Sequence, residues 1–337
     1  MIWFDTLEQN HLNLQLTSIS IRELFYLAQS PCSLYLFTEE KVFKEAIRKD
    51  DLINRESLSL LIKNGRGQVF ISYTDYERLK ECQQDNLRKT IRSLSMEKSP
   101  KAIRKLINLL SINLNYLYEN PNSDELLTLQ YQSILNLFNF LQENTNYLKL
   151  IYEEIVNQSH HYIINQPLIS SLFLFGFLKS NQFYSKKEME TLFITSYFKD
   201  LGMASIPSEK FDGPIKTKKD QLLFSNHPNS SVKYLIGRIP LGTNYLNIIK
   251  FHHFHHSLVS DYSLENNNEN VIIGFETNII SIMDIISAMI SKRPFRSQLT
   301  LFESLIVAKK IMIRDFPKEF SYLVNFFKDF FRPQLKI

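Results

Sequence analysis

From Ile279 to Ile286 the chain reads Ile-Ile-Ser-Ile-Met-Asp-Ile-Ile, with Asp284 in the middle of the run. A helix this apolar, expected over residues 277–289, is buried on most of its faces. A carboxylate carried into such a core without a partner costs several kcal/mol even after relaxation. Whatever fold the chain adopts must therefore bring Asp284 a cation or a hydrogen-bond network. Helix ends or an arginine would satisfy it, and so would a metal ion.

Residue types suited to an ion lie upstream. Asp200, His227 and the His252-His253 pair precede Asp284 within 85 residues that otherwise read as helical. Carboxylates suit hard divalent ions and can bridge two of them, and imidazole suits Fe, Mn, Zn and Ni. His252-His253 belongs to a longer run, His252-His253-Phe254-His255-His256. The run offers four imidazoles, and Ile248-Ile249-Lys250-Phe251 before it reads as the end of a helix. The second pair reads as solvent-facing or as an incidental metal binder.

The words around these residues are Lys-Asp-Leu-Gly-Met-Ala-Ser-Ile-Pro from Lys199, Asn-His-Pro from Asn226, His-His at 252, Met-Asp-Ile-Ile-Ser-Ala-Met from Met283 and Arg-Pro-Phe-Arg from Arg293. In this order and spacing, over roughly residues 150 to 315, they resemble the HD-GYP family of cyclic-dinucleotide phosphodiesterases. That family's pattern runs HDxGKxxIP, HP, HHE with a GYP turn, DxxDAM and RPYR. The resemblance implies an all-helical domain in which Asp200, His227, His252, His253 and Asp284 hold metal. It also implies that Arg293 and Arg296 contact ligand phosphates. As an alternative, the arginines are solvated members of a capped loop.

The departures fall on the chemistry. The first histidine of the family doublet is Lys199, and the following lysine is Met203. The upstream histidine falls on Gln166 or Pro167, the glutamate after the histidine pair is Phe254, and the GYP turn has dissolved, with Tyr262 as a remnant. A lysine at 199 repels a divalent ion and stands in for it between Asp200 and Asp284, or else it points to solvent at a helix C-terminus, where the macrodipole favours it. The expectation is a degenerate HD-GYP-like protein: a regulatory module binding a cyclic dinucleotide or a signalling partner protein, with hydrolysis lost or very weak. The sequence leaves open one divalent ion, such as Fe or Mn, or none. The rival expectation is an atypical metal-dependent cyclic di-GMP phosphodiesterase.

The 337 residues include 44% hydrophobic and 22% charged types and a net charge of +4, which neither requires a nucleic-acid polymer nor opposes an anionic ligand. Eight glycines against many Leu, Ile and Lys favour helix over sheet. Two cysteines, Cys32 and Cys82, make no disulfide framework and suggest a reducing compartment. The start of the chain lacks a signal-peptide pattern, and the apolar stretch 168–178 reads as too short to span a bilayer. A cytoplasmic protein is expected.

The expected fold class is mainly α: an all-helical HD-GYP-like domain at 146–337, connecting helices at 96–145, and a small α+β sensory or interaction domain at 1–95. In that first domain, 32–37 and 68–73 read as strands, 42–43 as the start of a hairpin partner and 55–63 as an amphipathic helix, with Asp75 capping the next helix. This order is similar to the small domain that precedes some HD-GYP domains. Helices at 100–117 and 126–141 serve either homodimerisation or ordinary core packing.

Overall fold

The computed structural model describes residues 15–38, 42–94, 99–158, 160–182, 184–213, 217–255 and 273–332. The protein is mainly α-helical, with one small antiparallel sheet near its start. It divides into two compact units between Asn113 and Leu114.

In the first unit the strands are β1 (Leu16–Ser20), β2 (Leu34–Phe37), β3 (Phe43–Ile47) and β4 (Gln68–Ser72), in the spatial order β1-β4-β2-β3. Helix α1 (Arg55–Lys63) opens where the Asn54 side chain accepts from the amides of Glu56 and Ser57. It stops before Gly65, whose φ of +76° suits a residue without a Cβ. Helix α2 (Tyr76–Ser93) follows Asp75, which occupies the capping position without making a side-chain bond there. Strand β1 is absent from the sequence reading because Leu16, Thr17 and Ile19 are all buried and no clean alternation marks it. Leu58 of α1 and Leu79 of α2 join Ile19, Leu34, Val69 and Ile71 in one apolar core. Burial, then Asp75, pushes the Cys32 thiol up to about 12, so it is no nucleophile near neutral pH.

Helix α3 (Pro100–Glu119) begins where the Ser99 hydroxyl accepts from the Ala102 amide at 3.1 Å. The second unit continues through α4 (Asp124–Glu143), α5 (Leu148–Gln158), α6 (Tyr162–Asn181), α7 (Lys186–Phe198), α8 (Lys218–Ser225), α9 (His227–Leu235), α10 (Thr243–Phe251), α11 (Phe275–Met289), α12 (Leu301–Met312) and α13 (Pro317–Phe330).

Helix α6 is the centre, packed on α5, α7, α11 and α13. Its 20 residues are long and apolar enough to cross a membrane, longer than the apolar stretch read from the sequence, and 89% of its most apolar window is buried inside the protein. Its faces are already spent on neighbouring helices, where Phe173 meets Tyr152, Phe327 and Phe330 edge-on or tilted. The serines inside it are satisfied locally, Ser170 and Ser171 both donating to the Pro167 carbonyl.

Candidate ligand and metal site

Helix ends converge on one point beside α6. Helix α7, opened by a capping box between Ser185 and Glu188, runs out at Lys199, and Asp200 starts the tight turn Leu201–Ser205. His227 is the first residue of α9, with Pro228 in that helix's first turn, and His252 follows the last residue of α10. Asp284 lies mid-helix in α11.

The turn after Asp200 is pressed against the start of α9. A Cβ at Gly202 would lie 1.9 Å from the His227 carbonyl oxygen and 2.5 Å from the Ser231 nitrogen. The Gly202 amide donates to the Ser231 hydroxyl at 2.7 Å, and that hydroxyl lies 2.6 Å from the Lys199 carbonyl, its acceptor. This seam fixes Asp200 relative to His227.

Lys199 is fully buried. Its ammonium contacts Asp200 Oδ2 and lies 2.7 Å from Asp284 Oδ1, so it joins the two carboxylates across 84 positions of sequence. Burial opposes its charge, but Asp200 and Asp284 outweigh that and raise its pKa above the ordinary lysine value. Burial would likewise raise the Asp200 pKa, yet the Lys199 charge holds it well below the usual carboxylate range. Both partners are ionised. Asp284 also accepts from the Gln166 amide, through Oδ1 at 3.0 Å and its carbonyl at 2.9 Å, and the same amide nitrogen lies 2.8 Å from the Ser287 hydroxyl.

The other oxygen of Asp200 faces the histidines. Nε2 of His227 and Nε2 of His252 each lie 3.2 Å from Asp200 Oδ1. The opposite nitrogens are pinned, since Nδ1 of His227 donates to the Phe224 carbonyl and Nδ1 of His252 to the Ile249 carbonyl, both at 2.6 Å. A carbonyl only accepts, so Nδ1 holds the proton and Nε2 of a neutral ring presents its lone pair. Burial, against the pull of Asp200, lowers the His252 pKa below the ordinary histidine value, which keeps that ring neutral at pH 7. Lone pair then faces carboxylate oxygen, an arrangement that is repulsive until a cation sits between them. His253 completes the group, and one ligand atom from each of Asp200, His227, His252 and His253 lies within 4.8 Å of all the others. The donor set fits one divalent ion, with Nδ1 bonds of the kind that orient metal-bound histidines.

A cavity of about 280 Å³ opens from this cluster. Ile163, Phe224, Ile285, Met289 and Met203 give it apolar walls, and Lys210, Arg293 and Arg296 carry its positive charge. The Arg293 guanidinium lies 4.7 Å from the Tyr162 ring centroid. Burial lowers the Arg293 pKa, against the nearby charges of Asp284 and Asp200. Arg296 donates to the Ala288 carbonyl at 2.7 Å, and the Nε atoms of both arginines are buried without a hydrogen-bond partner among the described residues.

Asp200, His227, His252, His253, Asp284, Lys199 and Gln166 thus meet in one cluster, and Met203, Arg293 and Arg296 line the cavity beside it. At the upstream position it is Gln166, not Pro167, that reaches Asp284. His255 turns away to Asn278 at 2.5 Å, and Phe254 packs on His255. Tyr262 and His256 lie outside the described residues. Sequence reasoning missed Lys210, the Gly202–Ser231 seam and the Tyr118 hydroxyl, which donates to the Asp200 carbonyl at 3.4 Å.

A scan against models of known protein families finds no match. A search of curated proteins finds none either. Among solved structures the chain is similar to Bd1817, a HDG"Y"P protein from Bdellovibrio bacteriovorus, with a TM-score of 0.60 over 93% of this chain and 100% of that one, at 15% identity. The fold is HD-GYP-like.

Proposed function

We propose that this chain is a degenerate HD-GYP-like regulator that binds a cyclic dinucleotide without hydrolysing it. The observation that carries the reading is the Lys199 ammonium held between Asp200 and Asp284, where two carboxylates would otherwise share a metal ion. A built-in cation there leaves ligands for at most one exchangeable ion, on Asp200, His227, His252 and His253. Bound at that place, a divalent ion would act as a Lewis acid toward a phosphate oxygen.

The remaining wall supports binding better than chemistry. Arg293 and Arg296 offer guanidinium donors suited to phosphate, and the apolar faces of Ile163, Phe224 and Ile285 accept a flat ring. Met203 lines the cavity but can neither donate a hydrogen bond nor carry charge. With one ion fewer and no cation at 203, the stabilisation available to a transferring phosphoryl group falls by several kcal/mol, which is orders of magnitude in rate. A regulator of this kind passes its ligand state to a signalling protein or to a second copy of itself.

The test combines metal analysis with turnover. After loading with Mn, Fe or Zn, elemental analysis is expected to find no more than one ion per chain, lost on Asp200→Ala. Calorimetry is expected to detect cyclic di-GMP binding, and a product assay no hydrolysis. Two ions per chain, or hydrolysis by the unmodified chain that Asp200→Ala abolishes, would establish the rival phosphodiesterase reading. The double variant Lys199→His, Met203→Lys is expected to gain ion binding without gaining turnover.

A further inference from the structure

Lys210 enters the cavity wall from the segment after the Asp200 turn, next in the chain to nothing that the motif pattern marks. Its ammonium lies 2.8 Å from Asp220 Oδ1 in α8, with 44% of the lysine side chain exposed against 16% of the aspartate. Asp220 is the better fixed partner. Its other oxygen accepts from the Thr217 hydroxyl at 2.7 Å, and its amide donates back to that hydroxyl at 3.1 Å. The pair thus joins a rigid acceptor at a helix start to a long, half-exposed arm at the cavity edge.

The charges within the cavity set what that arm is for. Lys199 offsets one of the two charges of Asp200 and Asp284, so Arg293 and Arg296 leave the cavity with one net positive charge, and the Nε of each arginine is buried without a hydrogen-bond partner among the described residues. An anion drawn to them comes within reach of Lys210, whose flexible stem lets the ammonium turn from Asp220 to the ligand. From this we infer that Lys210 is an exchangeable anion-binding residue, latched on Asp220 in the free protein and transferred to a phosphate of the nucleotide when one binds. The inference rests on the proposed nucleotide-binding reading. It places a cation on the same cavity wall as Met203, but from a different segment of chain.

A latch makes opposite demands on its two halves. Losing Lys210 removes a charge-assisted contact to the ligand, so Lys210→Met is expected to weaken binding about tenfold. Releasing Lys210 from Asp220 removes a competitor, so Asp220→Asn is expected to tighten binding about threefold. A merely structural pair would shift binding the same way in both variants. The experiment is calorimetric titration of the full chain and both variants with cyclic di-GMP and, separately, with 5′-GMP, alongside thermal melting to confirm folding. Weaker binding by Lys210→Met together with tighter binding by Asp220→Asn, with either probe, supports the latch, and the reverse pair of shifts overturns it; if the expected pair appears with 5′-GMP alone, the choice of a cyclic dinucleotide is wrong and the latch stands. If the unmodified chain binds a probe and the variants bind it equally well, or both more weakly, the latch is overturned while nucleotide binding survives. If the unmodified chain takes neither probe, both readings fall.

Discussion

Lys199→Met is expected to destabilise the second unit by about 3–5 kcal/mol, the usual cost of removing one member of a buried ion pair. Methionine fills nearly the same space, so the loss is electrostatic rather than a cavity. Lys199 has no exposed surface, and the two carboxylates it touches keep only a small exposed fraction at the cavity, so water replaces its charge poorly. The Gln166 amide leaves the Asp284 carboxylate partly solvated by a protein dipole, which limits but does not remove the penalty. Urea unfolding in the presence of a chelator measures the effect. Adding Asp284→Asn to the variant is expected to recover part of it, because one of the two stranded charges is then gone. A loss under about 1 kcal/mol would mean that the ammonium is not what holds these carboxylates together.

Gly202→Ala is the second large effect. Ordinary overpacking costs about 1–3 kcal/mol, because side chains move aside. Here the added carbon meets backbone, at 1.9 Å from the His227 oxygen and 2.5 Å from the Ser231 nitrogen, and neither can rotate away. The turn must lift off α9, breaking the Gly202–Ser231 bond and carrying Asp200 away from His227. A loss at or above about 3 kcal/mol is expected, together with weaker ion uptake. Gly67→Ala serves as the control, since a Cβ there meets nothing within 4 Å and its effect is expected to stay within about 1 kcal/mol. Equal melting of the two variants would show that the seam is softer than its distances imply.

Much of the helical unit was legible because burial imprints its period on sequence. The boundaries of α1 follow from Asn54 and Gly65, and those of α7 begin at Ser185. Helix α5 escaped because it follows a short turn at Thr145–Tyr147 with no side-chain cap to announce it. Helix α13 carries an open start signal in Pro317 at its first position. In the site, Asp200, His227, His252 and Asp284 were legible as residue types at a spacing. The direction of Lys199 was not, since a lysine ending a helix fits water as well as a core, and only the approach of α11 decides it. Lys210 carried no signal at all: its importance comes from a pocket assembled by segments distant in sequence.

The two oxygens of Asp200 face neighbours of different kinds. One meets an ammonium written into the chain, and the other meets the ring nitrogens of His227 and His252. A chelator would remove an ion held by the rings and leave the ammonium untouched. The ammonium is therefore set when the protein is translated, whatever ion the proposed site takes. A fold whose helices converge on a tethered charge is expected to keep its shape with or without an ion beside it.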